Sequence, residues 1–222
     1  MGIPERKERE FQRREQEILD AALFLFKRED WQSVTIEEIA QSAEIGKGTV
    51  YKHFPSKEDI YARLALDFNR RLLERLRAIS PALDVMGRLR AVIRAFWDFH
   101  LESQDYHRLV QYCSREDFRL NISEETRGMI RSLDEEFNTL VTSLVQEGTA
   151  QGLFPRDKSI EVLLFGAQAA LFGAIQLVWS GCHRLANPGD YREEITDFII
   201  AGLMHGHAGI GHTVSITQQA TD

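Results

Sequence analysis

Apolar residues recur along this chain at intervals of three and four, the spacing that places side chains on one face of an α-helix. The first such stripe contains Ile18, Ala21, Ala22, Leu25 and Phe26. The strand-type alternation of apolar and polar residues is not seen in the sequence, and residues that begin or end helices recur at helix-length intervals. The pattern therefore predicts an all-α protein.

Start and stop signals divide the sequence into nine predicted helices. Thr35 and Glu38 have the spacing of a capping box, Pro55 ends a short helix, and Ser56 can cap the next one. A Ser-Pro pair at 80–81 is a further start signal. The helices are expected at about 7–28, 36–42, 47–54, 57–79, 81–102, 104–115, 123–151, 159–180 and 190–204, with loops at 117–122 and 181–189.

The composition is that of a soluble globular protein. The chain has 222 residues, of which 43% are hydrophobic and 27% charged, and its formal net charge is −7. This length is ample for a sizeable core. Two distant cysteines, Cys113 and Cys182, cannot form a disulfide framework, and the first residues lack the apolar segment of a secretory signal. A cytoplasmic location is therefore expected.

One stretch raises a membrane alternative. Residues 162–180 carry no charge over a length close to that of a bilayer span. Gln168 and Gln176 would then lie inside the bilayer, and no cluster of lysine and arginine flanks the stretch. Because a helix that is apolar all round can equally be buried between protein helices, we expect no membrane contact.

A basic window interrupts the acidic chain. Residues 45–57 contain three lysines and one histidine but no acidic residue. The window falls on the second of two short predicted helices joined by a tight turn, which is the helix-turn-helix arrangement. The second helix of such a unit enters the DNA major groove, so its outer face needs small, polar or cationic residues.

The second short helix has this composition. Val50 and Phe54 are predicted to face the core, while Gly48 allows the backbone to approach DNA closely. Thr49 and Lys47 are expected at base edges, and phosphate contacts are expected from Tyr51, His53 and Lys57. The residues predicted at DNA from this pattern are Lys47, Gly48, Thr49, Tyr51, Lys52, His53 and Lys57.

Three segments together resemble the DNA-binding domain of the TetR (tetracycline repressor) family. They are Ile18-Leu-Asp-Ala-Ala-Leu-Phe-Leu-Phe26, Val34-Thr-Ile-Glu-Glu-Ile-Ala40 and Gly46-Lys-Gly-Thr-Val-Tyr-Lys-His-Phe-Pro-Ser-Lys-Glu-Asp59. The resemblance covers about residues 12–60 and implies a homodimeric, ligand-responsive transcriptional regulator, usually a repressor. In that family the positions that match Thr35, Lys47, Thr49, Tyr51, His53 and Lys57 lie at the DNA.

The sequence departs from the family pattern at three positions. The family usually has glycine where Asp30 and Glu44 stand, and a left-handed backbone at a non-glycine residue costs roughly 1 kcal/mol. Gly46 replaces a common serine cap, which costs a few tenths of a kcal/mol. None of these changes removes a predicted DNA contact.

Aromatic and apolar stripes in the second half predict a ligand pocket between helices 81–102, 104–115 and 123–151. Plain core packing is the alternative, but a pocket would be lined by such aromatics with a few polar groups, among them His100 or Tyr106. The predicted ligand-binding residues are Ile93, Phe96, Trp97, His100, Tyr106, Tyr112 and Phe137.

The last two predicted helices are too apolar for an exposed surface. A TetR-like arrangement makes them a four-helix dimer interface, whereas the alternative is packing within one chain. The predicted interface residues are Phe165, Ala169, Phe172, Gln176, Trp179, Phe198, Ile199 and Gly202.

Taken together, the sequence predicts a helix-turn-helix DNA-binding domain (1–57), a connecting helix (58–79), a helical ligand-binding and dimerisation domain (80–206) and a flexible tail (207–222). Its partners would be a palindromic DNA operator, a small, largely apolar effector and a second copy of the chain. No enzyme motif, cofactor or metal site is expected, although His205, His207 and His212 could bind a metal. The alternative is a helical interaction or ligand-carrier protein without DNA binding.

Overall fold

The computed structural model describes residues 3–28, 33–180 and 191–205, and within these ranges the chain forms ten α-helices and no strand. The helices are α1 (Ile3–Phe26), α2 (Ile36–Ser42), α3 (Lys47–His53), α4 (Lys57–Arg77), α5 (Val85–Glu102), α6 (Gln104–Cys113), α7 (Glu116–Asn121), α8 (Glu124–Ala150), α9 (Ile160–Ser180) and α10 (Tyr191–His205).

The first three helices and the start of α4 form a small head around one core. Ile18 on α1, Ile39 on α2, Val50 on α3 and Ile60 on α4 are fully buried there. The same core continues into α6 and α7 through Leu109 and its neighbours. The head is therefore packed on the rest of the chain rather than joined to it by a free linker.

The long helix α4 is the element shared by both parts. Its first half belongs to the head, and farther along Phe68, Leu72 and Leu76 pack against α5 and α8. A second apolar core joins α5, α8, α9 and α10, with Trp97 buried inside it. A rigid helix that runs through two cores can transmit a shift from one to the other.

Two predicted boundaries in the second half are wrong. The helix expected from residue 81 begins instead at Val85, because Asp84 caps it by accepting from the backbone N–H of Gly87 at 2.7 Å. The loop expected at 117–122 contains α7, whose Phe118 is buried and packs next to Ile122. Burial of these two apolar side chains, four residues apart, stabilises a turn of helix that the polar local sequence conceals.

Candidate nucleic-acid interface and ligand cavity

The segment before α2 is held by the predicted capping box. The backbone N–H of Thr35 donates to Oε2 of Glu38 at 2.7 Å, and the backbone N–H of Glu38 donates to Oγ1 of Thr35 at 3.2 Å. Donation from the Thr35 backbone is the largest cause that lowers the pKa of the Glu38 carboxyl. The capping box is confirmed, and Thr35 remains exposed beside the head's outer face.

Helix α3 has the two faces that a recognition helix needs. Val50 and Phe54 are buried in the core of the head, as predicted. A methyl group added at Gly48 would meet nothing within 4 Å, so this side of the helix is open to a partner. Of the predicted DNA contacts on α3, Lys47, Gly48, Tyr51 and Lys52 are exposed, whereas Thr49 and His53 are half-buried.

Lys47 is engaged in an ion pair with an acidic residue of α2. Its Nζ donates to Oε1 of Glu37, and it also lies 5.8 Å from the centroid of the Tyr51 ring. The bond to Lys47 is the largest cause that lowers the pKa of the Glu37 carboxyl. Both side chains are exposed, and an exposed ion pair is a weak restraint that a DNA phosphate or base can replace.

Lys57 is tied to the head. Its Nζ donates to the backbone carbonyl of Val34 at 2.9 Å and the side chain is half-buried, so it joins the first turn of α4 to the segment before α2. Its phosphate contact stays a prediction.

The turn between α2 and α3 has the expected backbone. Glu44 has a φ of 54°, in the left-handed region that favours glycine. The sequence departure at this residue therefore places a strained residue in the turn. Asp30, the other predicted position of this kind, lies outside the described residues.

The recognition helix also touches the first half of α1, which the sequence did not predict. The ring of Phe11 packs against the imidazole of His53, with centroids 4.1 Å apart and the ring planes tilted by 34°. Burial is the largest cause that lowers the pKa of His53; the charge of Glu15 opposes this shift, and the charges of Arg14 and Lys52 add to it. Phe11 stands seven residues before the buried Ile18, and this helical spacing was the available signal.

A buried carboxylate joins the head to the body. Asp59, 2% exposed, accepts hydrogen bonds from the hydroxyls of Ser56 and Ser123, both at 2.6 Å, from the backbone N–H of Ser123 at 3.1 Å and from the hydroxyl of Thr126. Ser56 precedes α4, and Ser123 caps α8. The sequence offered no sign of this junction, because Ser123 and Thr126 are more than 60 residues from Asp59 along the chain.

A cavity of about 370 Å³ lies within the helical body. Its walls come from α5, α8, α9 and α10, with Asn69 of α4 and Val110 of α6 completing them. The lining is mainly aliphatic and aromatic, and its polar side chains are Asn69, His100, Asp134, Asn138 and Gln168. An apolar cavity with a few polar groups is typical of a site for a small ligand.

The cavity includes some of the predicted ligand-binding residues. Ile93, Phe96, His100 and Phe137 line it. Trp97 instead is buried in the core of the body, Tyr106 stacks on Phe68 beside an outer groove between α4 and α5, and Tyr112 packs edge-on against Phe118. The predicted location is also incomplete, because α9 and α10 supply walls that were expected from the three earlier helices.

His100, on the polar wall of the cavity, lies next to a second buried histidine, His107. His100 and His107 place their Nδ1 atoms 3.4 Å apart, and both rings are buried. Burial, followed by the charge of His107, lowers the pKa of His100 to about 4. Burial also lowers the pKa of His107, while a hydrogen bond with Gln176 opposes this shift. The ring of His100 is therefore neutral at pH 7, as suits the wall of an apolar cavity.

Helices α9 and α10 expose a large apolar face. Phe165 is 73% exposed and Phe198 is 67% exposed, and Gly166, Gly173 and Gly202 have open space above them. Helix α9 is long and apolar enough to cross a membrane, but one such helix is weak evidence for a membrane-spanning segment. Large exposed apolar faces mark contact surfaces.

Most of the predicted interface residues lie on this face, but not all of them. Phe165, Ala169 and Gly202 are exposed, as is Phe198. Ile199 is buried within the protomer and lines the cavity, so its place in the predicted interface is wrong. The remaining three are Phe172, which also lines the cavity, Gln176, which accepts from Gln111, and Trp179, which is half-buried near His107.

In the part of the chain that the structure describes, no three histidine, cysteine or acidic side chains are arranged to hold a metal ion. Cys113 is a free cysteine, and burial raises the pKa of its thiol. Cys182, His207 and His212 lie outside the described residues.

Comparison with known proteins gives two matches to models of one family. The model described as bacterial regulatory proteins, tetR family, matches residues 18–64. The model described as tetracyclin repressor-like, C-terminal domain, matches residues 82–176. The two matches together cover more than half of the chain and include both the head and the body.

The chain is also similar to individual proteins of known function or structure. It is 26% identical to the HTH-type transcriptional repressor KstR2 of Rhodococcus jostii, over 67% of this chain and 72% of KstR2. It is 31% identical to the HTH-type transcriptional activator FasR of Mycolicibacterium smegmatis, over 42% of this chain and 43% of FasR. The crystal structure of the transcriptional regulator FadR from Bacillus subtilis, in complex with stearoyl-CoA, matches with a TM-score of 0.68 at 16% identity, over 84% of this chain and 98% of that one.

A helix-turn-helix head on a helical body that contains a cavity defines a DNA-binding transcriptional regulator. The chain belongs to the TetR family of bacterial regulators. It is a transcription factor rather than an enzyme. The match to a family of DNA-binding regulators also argues against the alternative of a helical interaction or ligand-carrier protein without DNA binding.

Proposed function

We propose that the protein is a homodimeric repressor that binds a palindromic operator and leaves it when a small, largely apolar ligand binds. The observation that carries this proposal is the Asp59 junction. It joins the first turn of α4, directly after the recognition helix, to the first turn of α8, whose later residues line the cavity. A ligand that moves α8 would thereby act on the position of α3.

The proposed DNA binding rests on the open polar face of α3. Two recognition helices related by a two-fold axis would enter successive major grooves of an operator with matching symmetry. Base contacts are assigned to Lys47 and Thr49, and phosphate contacts to Tyr51, His53 and Lys57. Thr49→Ala should then weaken operator binding by roughly 1–3 kcal/mol, about 5- to 150-fold, with little effect on random duplex.

A DNA-binding titration tests the proposed DNA contacts. Fluorescence anisotropy would be measured with an operator duplex selected in vitro by the unaltered protein and with a random duplex of equal length. Thr139→Ala, which removes the same hydroxyl on the exposed side of α8, serves as the control. A protein that bound both duplexes equally, or an operator affinity unchanged by Thr49→Ala, would contradict the assignment.

The proposed response to a ligand rests on the cavity in the helical body. Its apolar walls favour a chain or ring of hydrocarbon, and its side chains Asp134, Asn138 and Gln168 reach solvent and can meet a polar group of the ligand. FadR of Bacillus subtilis, a neighbour in fold, was crystallised with stearoyl-CoA, which supports long-chain acyl compounds as the first ligands to test. The ligand must bind the DNA-incompetent conformation more tightly, because only a difference in affinity shifts the equilibrium.

A series of fatty acids and acyl-CoA esters of increasing chain length would be titrated into the protein–operator complex. Val141→Phe, which fills the cavity from α8, should abolish release, whereas Ser143→Phe, which adds the same ring to the exposed side of α8, should not. Release that survived Val141→Phe would place the ligand elsewhere.

The proposed dimer rests on the exposed face of α9 and α10. We propose that a second copy covers this face, in preference to a membrane, and that the protein works in the cytoplasm, where its DNA lies. Phe198→Glu would place a carboxylate in the buried interface and should produce monomers in light scattering at micromolar concentration. Leu120→Glu, at a residue that is 72% exposed on α7, should leave the mass unchanged. A monomeric unaltered protein would contradict the proposal.

A further inference from the structure

The first half of α1 lies outside the segment that matches the DNA-binding family model, which starts at residue 18. Residues 5–13 of this helix are exposed, yet it does not stand free of the head. The contact of the Phe11 ring with His53, with centroids 4.1 Å apart, holds it against the last turn of the recognition helix.

Two cations share the side of this helix segment that meets α3. Lys7, Phe11 and Arg14 are spaced four and three residues apart, so they share one side of the helix with the buried Ile18. The ring of Phe11 contacts His53, so this side, the basic edge of α1, lies next to α3. Glu15, the next residue, pairs with Arg63 of α4 at 3.4 Å, and Glu17 pairs with Arg14.

This basic edge continues the positive surface of the recognition helix. Lys52 of α3 is exposed, and its charge acts on the imidazole of His53 together with that of Arg14, while Glu15 acts in the opposite direction. Arg14 is held by Glu17 at 2.6 Å, whereas Lys7 is exposed one helical turn beyond Phe11. An array of cations next to a recognition helix faces the negatively charged DNA backbone that flanks the groove.

We infer that the basic edge of α1, with Lys7 as its principal cation, binds DNA phosphates that flank the bases read by α3. Phe11 is a positioning residue, because its ring contact with His53 sets the angle at which α1 meets the DNA. The inference rests on the proposed operator binding and extends it to residues before the family motif. These contacts add affinity without sequence preference, since phosphates carry no base information.

The test is the salt dependence of DNA binding. Lys7→Gln should lower affinity for the selected operator and for random duplex by the same factor. It should reduce the slope of log K against log salt by about 0.9 for each phosphate that the protein no longer neutralises, hence about 1.8 for a dimer. Arg13→Gln is the matched control, because Arg13 carries the same charge on the same helix but points away from Phe11. Its slope should equal that of the unaltered protein.

A second variant tests the positioning role. Phe11→Ala keeps every charge, and it should reduce the slope as Lys7→Gln does, while thermal unfolding shows that the head remains folded. Equal slopes for Lys7→Gln and the unaltered protein, or equal losses for Lys7→Gln and Arg13→Gln, would overturn the inference while leaving operator binding intact. If the unaltered protein bound neither duplex, the proposed function would fall with it.

Discussion

Asp59 offers the sharpest test of how the head and the body are joined. Its carboxylate is 2% exposed and accepts four hydrogen bonds, three of them from Ser123 and Thr126 at the start of α8. Asp59→Asn keeps the shape but removes the charge, and Asp59→Ala removes every acceptor. Both changes act on a junction between two helices whose sequences are far apart.

The expected loss of stability follows from these bonds. A hydrogen bond to a charged group contributes about 1.5–3 kcal/mol, and a buried donor left without a partner costs about 1–3 kcal/mol. Asn can keep the bonds at one oxygen, so we expect Asp59→Asn to cost about 1–2 kcal/mol. Ala strands the backbone N–H of Ser123, so Asp59→Ala should cost about 3–4 kcal/mol. For a chain of this size each kcal/mol lowers Tm by about 2–4 °C.

The loss should also depend on pH in a defined direction. Burial raises the pKa of Asp59, but the hydrogen bonds from Ser123, Ser56 and Thr126 outweigh it, so the pKa lies below its ordinary value. A carboxyl whose pKa is lower in the folded state stabilises the fold above its unfolded pKa of about 3.9. This stabilisation is lost as the pH falls through the folded pKa. The difference between Asp59→Asn and the unaltered protein should therefore shrink below about pH 4.

Urea unfolding followed by circular dichroism at pH 7 and at lower pH measures these differences. Asp67→Asn is the control, because Asp67 is on the same helix and makes only a partly exposed pair with Arg70 at 3.3 Å. It should change stability by less than about 0.5 kcal/mol. Equal stability of Asp59→Asn and the unaltered protein at pH 7 would show that the junction does not hold the two parts together.

Three further predictions concern other parts of the fold. Gly148→Ala should destabilise by about 1–3 kcal/mol in urea unfolding because its methyl would overlap the ring of Phe154, whereas Gly128→Ala on the same helix has room and should be neutral or stabilising. Glu44→Gly should raise stability by roughly 1 kcal/mol by relieving the left-handed backbone, and Glu44→Ala should not. The pKa of His100 is lowered to about 4 by burial, so the unfolded chain binds a proton that the folded chain does not between about pH 6.5 and 4. Stability should fall as the pH drops through that window, by at most about 1.4 kcal/mol per unit for this proton, and His100→Gln should flatten a denaturation series over the same range.

Features that depend on neighbours along the chain could be predicted from the amino-acid sequence. The capping box of Thr35 and Glu38 involves residues three apart, and the buried side of α3 follows from the four-residue spacing of Val50 and Phe54. Glu44 was predicted to be left-handed from the motif around it, and its φ is positive. Such features are specified locally, because a helix or turn brings together residues within about four positions.

Tertiary packing determines which of several similar side chains contact each other or line the cavity. Phe96 and Trp97 are adjacent aromatics on α5, but only Phe96 lines the cavity, because the turn of the helix directs Trp97 into the core of the body. Asp59 reads as an ordinary residue in the first turn of a helix, and its burial arises from the arrival of α8 at Ser123. The packing angles between helices decide these contacts, and those angles depend on the whole set of side chains in the core rather than on any local pattern.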